Sequence, residues 1–305
     1  MNQATNTLRL GEQPVIIGPS TGWLSAKITP ELSIHRDILQ ASKASAAEMV
    51  WHDSSRREAM LRGESLAHDL DYCSLHLGSF RDFTLPLRLD QKETLQAIAS
   101  IVNKHAIATA TIHPDTTPPH IINDLIRQNI RLGIENMDRD CAFGRTVSDV
   151  ASMMQHWKVT GVIDLQHAFE VAQISGISCR QLVTQFASMM LSSGGISHLH
   201  VSGEIQVNGT ISSRHAPLTK ATNKQEILEA LEAVLLISQR QIPIILEGDP
   251  LLCYPLLDQQ HPLSDEEIIH RTESAIAGMS CEITLITEFI HSSPVLSATA
   301  RQAPY

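Results

Sequence analysis

Nowhere in the 305 residues does a run of about 18 consecutive apolar residues occur, so no membrane-spanning helix is expected. The opening segment MNQATNTLRLGEQP has neither a basic start nor an apolar stretch, and no secretory leader is expected. Cysteine is scarce. Cys73, Cys141, Cys179, Cys253 and Cys281 are odd in number and include no C-x-x-C spacing. They argue against a disulfide framework and against a cysteine-held zinc, and fit a reducing, cytoplasmic setting. Basic charge is also short, with 23 Lys and Arg against 33 Asp and Glu for a net charge of −10. That balance weakens the case for a broad nucleic-acid surface. No linker, low-complexity block or charge run divides the chain. A single domain over 1–290 is expected, with 291–305 as an unpatterned tail, mobile or strapped across the surface.

What the chain does have is one short apolar segment that recurs. The segments are Val15–Gly18, Ala47–Trp51, Tyr72–Leu77, Ile107–His113, Ile130–Glu135, Val159–Asp164, Ile196–Val201 and Ile242–Glu247. Amphipathic helical patterns lie between them. Asp90 with Glu93, Ser178 with Gln181, Thr222 with Gln225 and Ser264 with Glu267 have capping-box spacing. Pro118 and Pro119 suit a helix start, where a missing amide proton costs nothing. Eight buried strands alternating with helices predict a single-domain (β/α)8 TIM barrel, a fold of typically ~250 residues. The rival open, doubly wound sheet should carry a glycine-rich phosphate turn after its first strand. Here that turn reads GPSTGW, without the G-x-G-x-x-G spacing.

In such a barrel the active site sits at the C-terminal ends of the strands. Seven of the 15 histidines fall there. His52 follows the second strand, His76 lies on the third, His113 on the fourth and Glu135 on the fifth. Asp164 and His167 straddle a strand-to-loop turn at the sixth. His198 and His200 lie two apart on the seventh, His215 in the loop beyond it, and Glu247 on the eighth. Imidazoles and carboxylates converging on one place are donors for zinc, manganese or iron, and carboxylates pressed together without a cation repel.

At these residues the sequence, from about Val15 to Met279, resembles the superfamily of endonuclease IV-type apurinic endonucleases and xylose-isomerase-like sugar isomerases and epimerases. VIDLQHAFE around Asp164 and His167 is similar to the endonuclease signature. GIENMD around Glu135 and ILEGD around Glu247 look like the two glutamate strands that bind metal in both branches. SLHLGSF around His76 and TIHP around His113 look like the two extra histidine positions of the endonuclease branch. HLHVSGE resembles the epimerase pattern that gives the metal role to His200. Ser213, Arg214 and His215 stand where the endonucleases have Asp-Arg-His, so two cations are expected ahead of three, the third being left with fewer anionic ligands. A looser resemblance, through HAPL after Arg214, runs to multinuclear iron oxidative enzymes that modify peptides.

The resemblance implies a metal-dependent enzyme with Glu135 and Glu247 in catalytic roles. His76, His113, Glu135, Asp164, His167, His200, His215 and Glu247 would be metal ligands, and His198, Arg214 and His52 would bind substrate. Hydrolysis of a phosphoester is the first chemistry it implies. The alternative is isomerisation or epimerisation of a sugar or sugar phosphate, with Glu135 and Glu247 as the acid–base pair. A barrel that had lost its chemistry would have no need of every carboxylate and imidazole at its mouth. Arg56, Arg57, Arg81, Arg139, Arg145 and Arg214 are scattered and the loops read as short, so a small phosphorylated or sugar-like substrate is expected ahead of DNA.

Overall fold

Small and β-branched residues recur where the chain forms its strands, and their alternation decides which faces turn inward. The computed structural model describes residues 13–51, 66–77, 92–258 and 262–298. Its strands are β1 (Ile17–Pro19), β2 (Ala46–Val50), β3 (Tyr72–His76), β4 (Thr109–Ile112), β5 (Leu132–Glu135), β6 (Thr160–Asp164), β7 (Ile196–Val201), β8 (Gly203–Val207), β9 (Thr210–Ala216) and β10 (Ile244–Leu246). Eight of them form one sheet in the order β1-β10-β7-β6-β5-β4-β3-β2, with neighbours parallel.

The two ends of this sheet meet. Thr21 N–H donates to the Glu48 carbonyl and Ser45 N–H to the Ile17 carbonyl, each at 2.9 Å. Gly18 makes the approach possible, because a Cβ there would stand 1.7 Å from the Ala46 carbonyl oxygen. The result is the nearly closed (β/α)8 barrel that the sequence predicts.

Its helices are α1 (Gly22–Lys27), α2 (Leu32–Ala41), α3 (Lys92–Lys104), α4 (Pro119–Arg127), α5 (Val147–Trp157), α6 (Leu165–Ser175), α7 (Cys179–Ser193), α8 (Lys224–Ser238), α9 (Asp265–Ser292) and α10 (Pro294–Ala298). Ser178 and Ser264 cap α7 and α9 as their spacing predicts, and Pro119 is the first residue of α4. Thr222 does not cap α8. Its hydroxyl donates to the Glu204 carbonyl instead, and Asn223 occupies the cap position. Thr146 and Asp149 form a reciprocal capping box at α5. Asp90 lies outside the described residues.

Two expectations are corrected by the structure. The segment after β7 is a two-stranded antiparallel hairpin, β8–β9, so His215 sits on a strand and not in a short loop. Its turn is Asn208-Gly209, both at positive φ, which suits the right-handed twist of a hairpin. The chain beyond His291 is also not unpatterned throughout: α9 runs to Ser292, and α10 follows with Leu296 buried in the core. Residues 299–305 lie outside the described residues.

Ala47, Met49, Leu75, Ala110, Ile112, Ile134, Ile163, Leu199 and Leu246 belong to the apolar cluster between sheet and helices. Strand side chains alternate, so Glu48, Ser74, His76, Thr111, Glu135, Asp164, His198 and His200 project into the barrel. A barrel interior ordinarily filled by Val, Ile and Leu is here largely polar.

One buried acid lies away from this interior. Glu282 on α9 accepts a hydrogen bond from Leu218 N–H at 2.6 Å, and burial pushes its carboxyl up to about 7 despite that bond. Because the folded-state value is raised above the unfolded one, the native state holds the extra proton, and stability falls as pH rises from about 4.5 towards 7. Glu282→Gln keeps the acceptor and removes the charge. Urea unfolding at pH 5 and pH 8 is expected to show the variant more stable than the parent at pH 8 by about 1–3 kcal/mol and equal to it at pH 5. Equal stability at both values would contradict this assignment.

Candidate metal centre

Glu135 ends β5 and is 1% exposed. Its Oε2 lies 3.4 Å from His76 Nε2 and 3.2 Å from His113 Nε2. Its Oε1 lies 3.3 Å from His200 Nδ1 and 3.4 Å from His167 Nδ1. Glu247, just beyond β10, places Oε1 at 3.3 Å from the same His200 Nδ1. Two donor sets therefore share Glu135. The ligand atoms of His76, His113 and Glu135 lie within 4.8 Å of one another, and so do those of Glu135, Asp164, His200 and Glu247. A third grouping at the same spacing joins Glu48 to His76, His200 and Glu247, all three already members of the first two.

The backbone explains this convergence. Asp164 is both the last residue of β6 and the N-cap of α6, with its side chain accepting from His167 N–H at 2.8 Å. The strand passes directly into a helix, where the sequence suggested a loop, and the three-residue spacing of Asp164 and His167 is the spacing of a cap. Oδ1 is consumed by the cap, whereas Oδ2 is buried without a hydrogen bond. Asn136, next to Glu135, clamps β5 to β6. It donates to the Asp164 carbonyl at 3.0 Å and accepts from Asp164 N–H at 2.8 Å. The Asn136 carbonyl lies 2.9 Å from His167 Nδ1 and accepts a hydrogen bond from it, which fixes the orientation of the ring. On the opposite side of the barrel, Trp23 Nε1 donates to the Glu247 carbonyl at 2.9 Å, and the buried pair of Lys27 and Asp249 ties α1 to the end of β10.

Burial alone would raise every carboxylate here. At Glu135 it is outweighed by His200 and His113, which hold the group well below the usual carboxylate range. Glu48 behaves alike, held down by His200 and His198. At Glu247 burial prevails over the attraction of His200, with Asp164 and Glu135 adding repulsion, and the carboxyl is pushed up to about 8. The imidazoles respond in turn. Burial is overcome at His200 by Glu247 and Glu48, which hold it well above its ordinary value, and at His167 by Asp164 and Glu135, which lift it to about 9. His215 is lowered by burial and by His167.

The residues fit divalent cations. Glu135 Oε2, Asp164 Oδ2 and His200 Nδ1 are buried atoms with no hydrogen bond, each aimed into the donor sets. A mixture of imidazole and carboxylate suits zinc, manganese or iron(II).

Above these groups opens a cavity of about 510 Å³, lined by His76, His113, Glu135, His167, His215 and Glu247, by Asp115 and Asp138, and by the apolar Trp23, Ala26, Val50 and Met137. Of the residues expected at the site, His76, His113, Glu135, Asp164, His200 and Glu247 are brought together in the donor sets. His167 and His215 line the cavity, but join no donor set among the described residues. His198 is not in the cavity. It is wholly buried beneath it, because residues two apart on a strand share a face but lie at different depths. Arg214 does not line the cavity either. It pairs with Asp140 and lies 3.6 Å from Glu170. His52 lies outside the described residues. Glu48 and Asn136 were not anticipated. The signal for Glu48 was a single acid inside the apolar segment AAEMVW.

No protein-family model matches the chain, and no curated protein sequence matches it. Solved structures do resemble it. An L-ribulose 3-epimerase shares 11% identity at a TM-score of 0.56, over 95% of this chain and 100% of that one. A xylose isomerase domain-containing protein from Salmonella typhimurium shares 12% at 0.55, over 89% and 97%. Endonuclease IV from Thermus thermophilus shares 13% at 0.48, over 86% and 98%. For the first two, the likeness shows a common fold. Among the described residues no helix is long and apolar enough to cross a membrane.

Asn136→Ala strips partners from two buried backbone groups of Asp164. Urea unfolding should show a loss of about 2–4 kcal/mol, and chelator competition a cation affinity about 10-fold lower. Unchanged affinity would contradict the clamp.

Proposed function

We propose that the chain is a divalent-metal-dependent hydrolase of phosphoester bonds, acting on a small molecule with two cations that share Glu135. The observation that carries this reading is the second donor set: a single-metal isomerase needs Glu135, Asp164, His200 and Glu247, but has no task for the paired His76 and His113. The cavity, at about 510 Å³, lies within the ~300–1,000 Å³ range of small-molecule sites. Its Trp23 face suits an apolar or flat part of the substrate while the phosphate meets the carboxylate and imidazole side.

Cations held in the two sets supply Lewis-acid polarisation of the phosphoryl group and lower the pKa of a water nucleophile. His76 and His113 with Glu135 would hold one cation, and Asp164, His200 and Glu247, again with Glu135, would hold the other. Both glutamates line the cavity, and Glu247, with a side chain 14% exposed against 1% for Glu135, is the one placed to take the proton of the attacking water. His167 and His215 face the same space from α6 and β9 and are placed to donate hydrogen bonds to phosphoryl oxygens. The neutral-to-acidic surroundings of Arg214, tied to Asp140, favour a small ligand over a nucleic-acid backbone.

The second reading is a sugar or sugar-phosphate isomerase or epimerase, and the four-residue set Glu135, Asp164, His200 and Glu247 favours it if one cation binds alone. In that case Glu135 and Glu247 would exchange a proton with a carbon next to a carbonyl.

Hydrolysis of bis(4-nitrophenyl) phosphate with added zinc, manganese or iron(II) separates the two readings. Activity is expected, abolished by chelator, with kcat lowered at least about 1,000-fold by Glu135→Gln or Glu247→Gln and the fold retained. Full activity in either variant would overturn the mechanism. Metal-dependent exchange of ketose carbon-bound hydrogen with D2O, without phosphoester cleavage, would establish the second reading.

A further inference from the structure

Beneath the two donor sets the barrel holds a second polar layer. Glu48, Ser74, Thr111 and His198 come from β2, β3, β4 and β7, and all four are wholly buried. Glu48 is the one acid among them. Its Oε2 accepts from Ser74 Oγ at 2.9 Å and from Thr111 Oγ1 at 3.0 Å, and stands 3.4 Å from His198 Nε2. His198 is anchored in turn by its Nδ1, 2.8 Å from the Tyr72 hydroxyl at the lower end of β3. These contacts leave Glu48 little freedom to rotate. Its remaining oxygen, Oε1, makes no hydrogen bond and lies 3.1 Å from His200 Nε2.

His200 thus stands between two sets of acids. Nδ1 faces Glu135 and Glu247, and Nε2 lies 3.1 Å from Glu48 Oε1 and also 3.1 Å from Nε2 of His198, itself a neighbour of Glu48. An imidazole that gives one nitrogen to a cation keeps its proton on the other, and a carboxylate facing that proton fixes the tautomer, holds the ring plane and makes the ligating nitrogen more basic. We propose that Glu48 is the positioning residue for His200, committing Nδ1 to the cation, and that Ser74, Thr111 and His198 exist in this layer to hold Glu48 in place. Glu48 also has ligand spacing to His76, His200 and Glu247. Those three residues serve the two sets above, however, and Glu48 Oε2 already accepts two hydroxyl protons, so Glu48 acts through His200 and not as a further cation ligand. The inference rests on the metal-centre reading above, but not on the reaction.

The test is cobalt(II) binding to the full chain, followed by chelator competition and by visible absorption. Glu48→Gln keeps the shape and removes the charge. It should weaken cobalt affinity about 10-fold and Glu48→Ala about 100-fold, with the number of ions bound unchanged and the absorption bands shifted. Ser74→Ala, which touches no ligand and frees one bond to Glu48, should weaken affinity less, by about 3-fold, and serves if the Glu48 variants do not fold. Glu48→Asp, one methylene shorter, should recover part of the loss seen in Glu48→Ala. Unchanged affinity and spectrum in Glu48→Gln, or in Ser74→Ala alone if only that variant folds, would overturn the proposal. So would loss of one whole ion in Glu48→Gln, which would make Glu48 a ligand. If the parent chain itself binds no cobalt, the metal-centre reading fails, and this inference with it.

Discussion

Four carboxylates meet inside the barrel, those of Glu48, Glu135 and Asp164 buried and that of Glu247 facing the cavity, and their mutual repulsion governs the rest of the molecule. Buried acids that close must be protonated, paired with cationic groups or bound to metal. The chain surrounds them with imidazoles: His76, His113, His167 and His200 each stand within 3.7 Å of one of the acids. Imidazole suits either task, since it carries a compensating proton or surrenders it to a cation. The opposed shifts of Glu247 upward and Glu135 downward show that protonation alone distributes charge unevenly over this cluster.

The fold supplies rigidity at the points where this cluster needs it. Gly18 lets β1 close on β2 and so brings Glu48 into the interior opposite β7. Asn136 holds the ends of β5 and β6 together, and the helix cap at Asp164 fixes one carboxylate oxygen while leaving the other for a ligand. Trp23 and the Lys27–Asp249 pair do the same for the strand end that bears Glu247. All but the Lys27–Asp249 ion pair act on backbone atoms, so the ligands project from strand ends that are held together.

Much of this is legible in the sequence. Eight apolar segments mark the eight barrel strands, because strands buried on both faces read as near-continuous apolar runs, broken here only by the polar residues that face the barrel interior. Strand-end acids and histidines could be picked out because they interrupt that pattern. What escaped notice has physical reasons too. Glu48 sits in the middle of β2, where attention to strand ends does not reach, and its partners Ser74, Thr111 and His198 look innocuous one at a time. The β8–β9 hairpin was readable from Asn208-Gly209 between alternating residues, but lies where a barrel connection is ordinarily a loop. The depth difference between His198 and His200 depends on how far each residue lies along the strand, which spacing alone does not express.

If Glu135 joins two cation sites, both depend on one side chain. Elemental analysis of the chain purified without added metal or chelator, repeated on Glu135→Ala, reads this out. Two divalent ions per chain are expected in the parent and the loss of more than one equivalent in the variant, because both sites give up a ligand together. A single ion in the parent, or a variant that keeps its full complement, would contradict it.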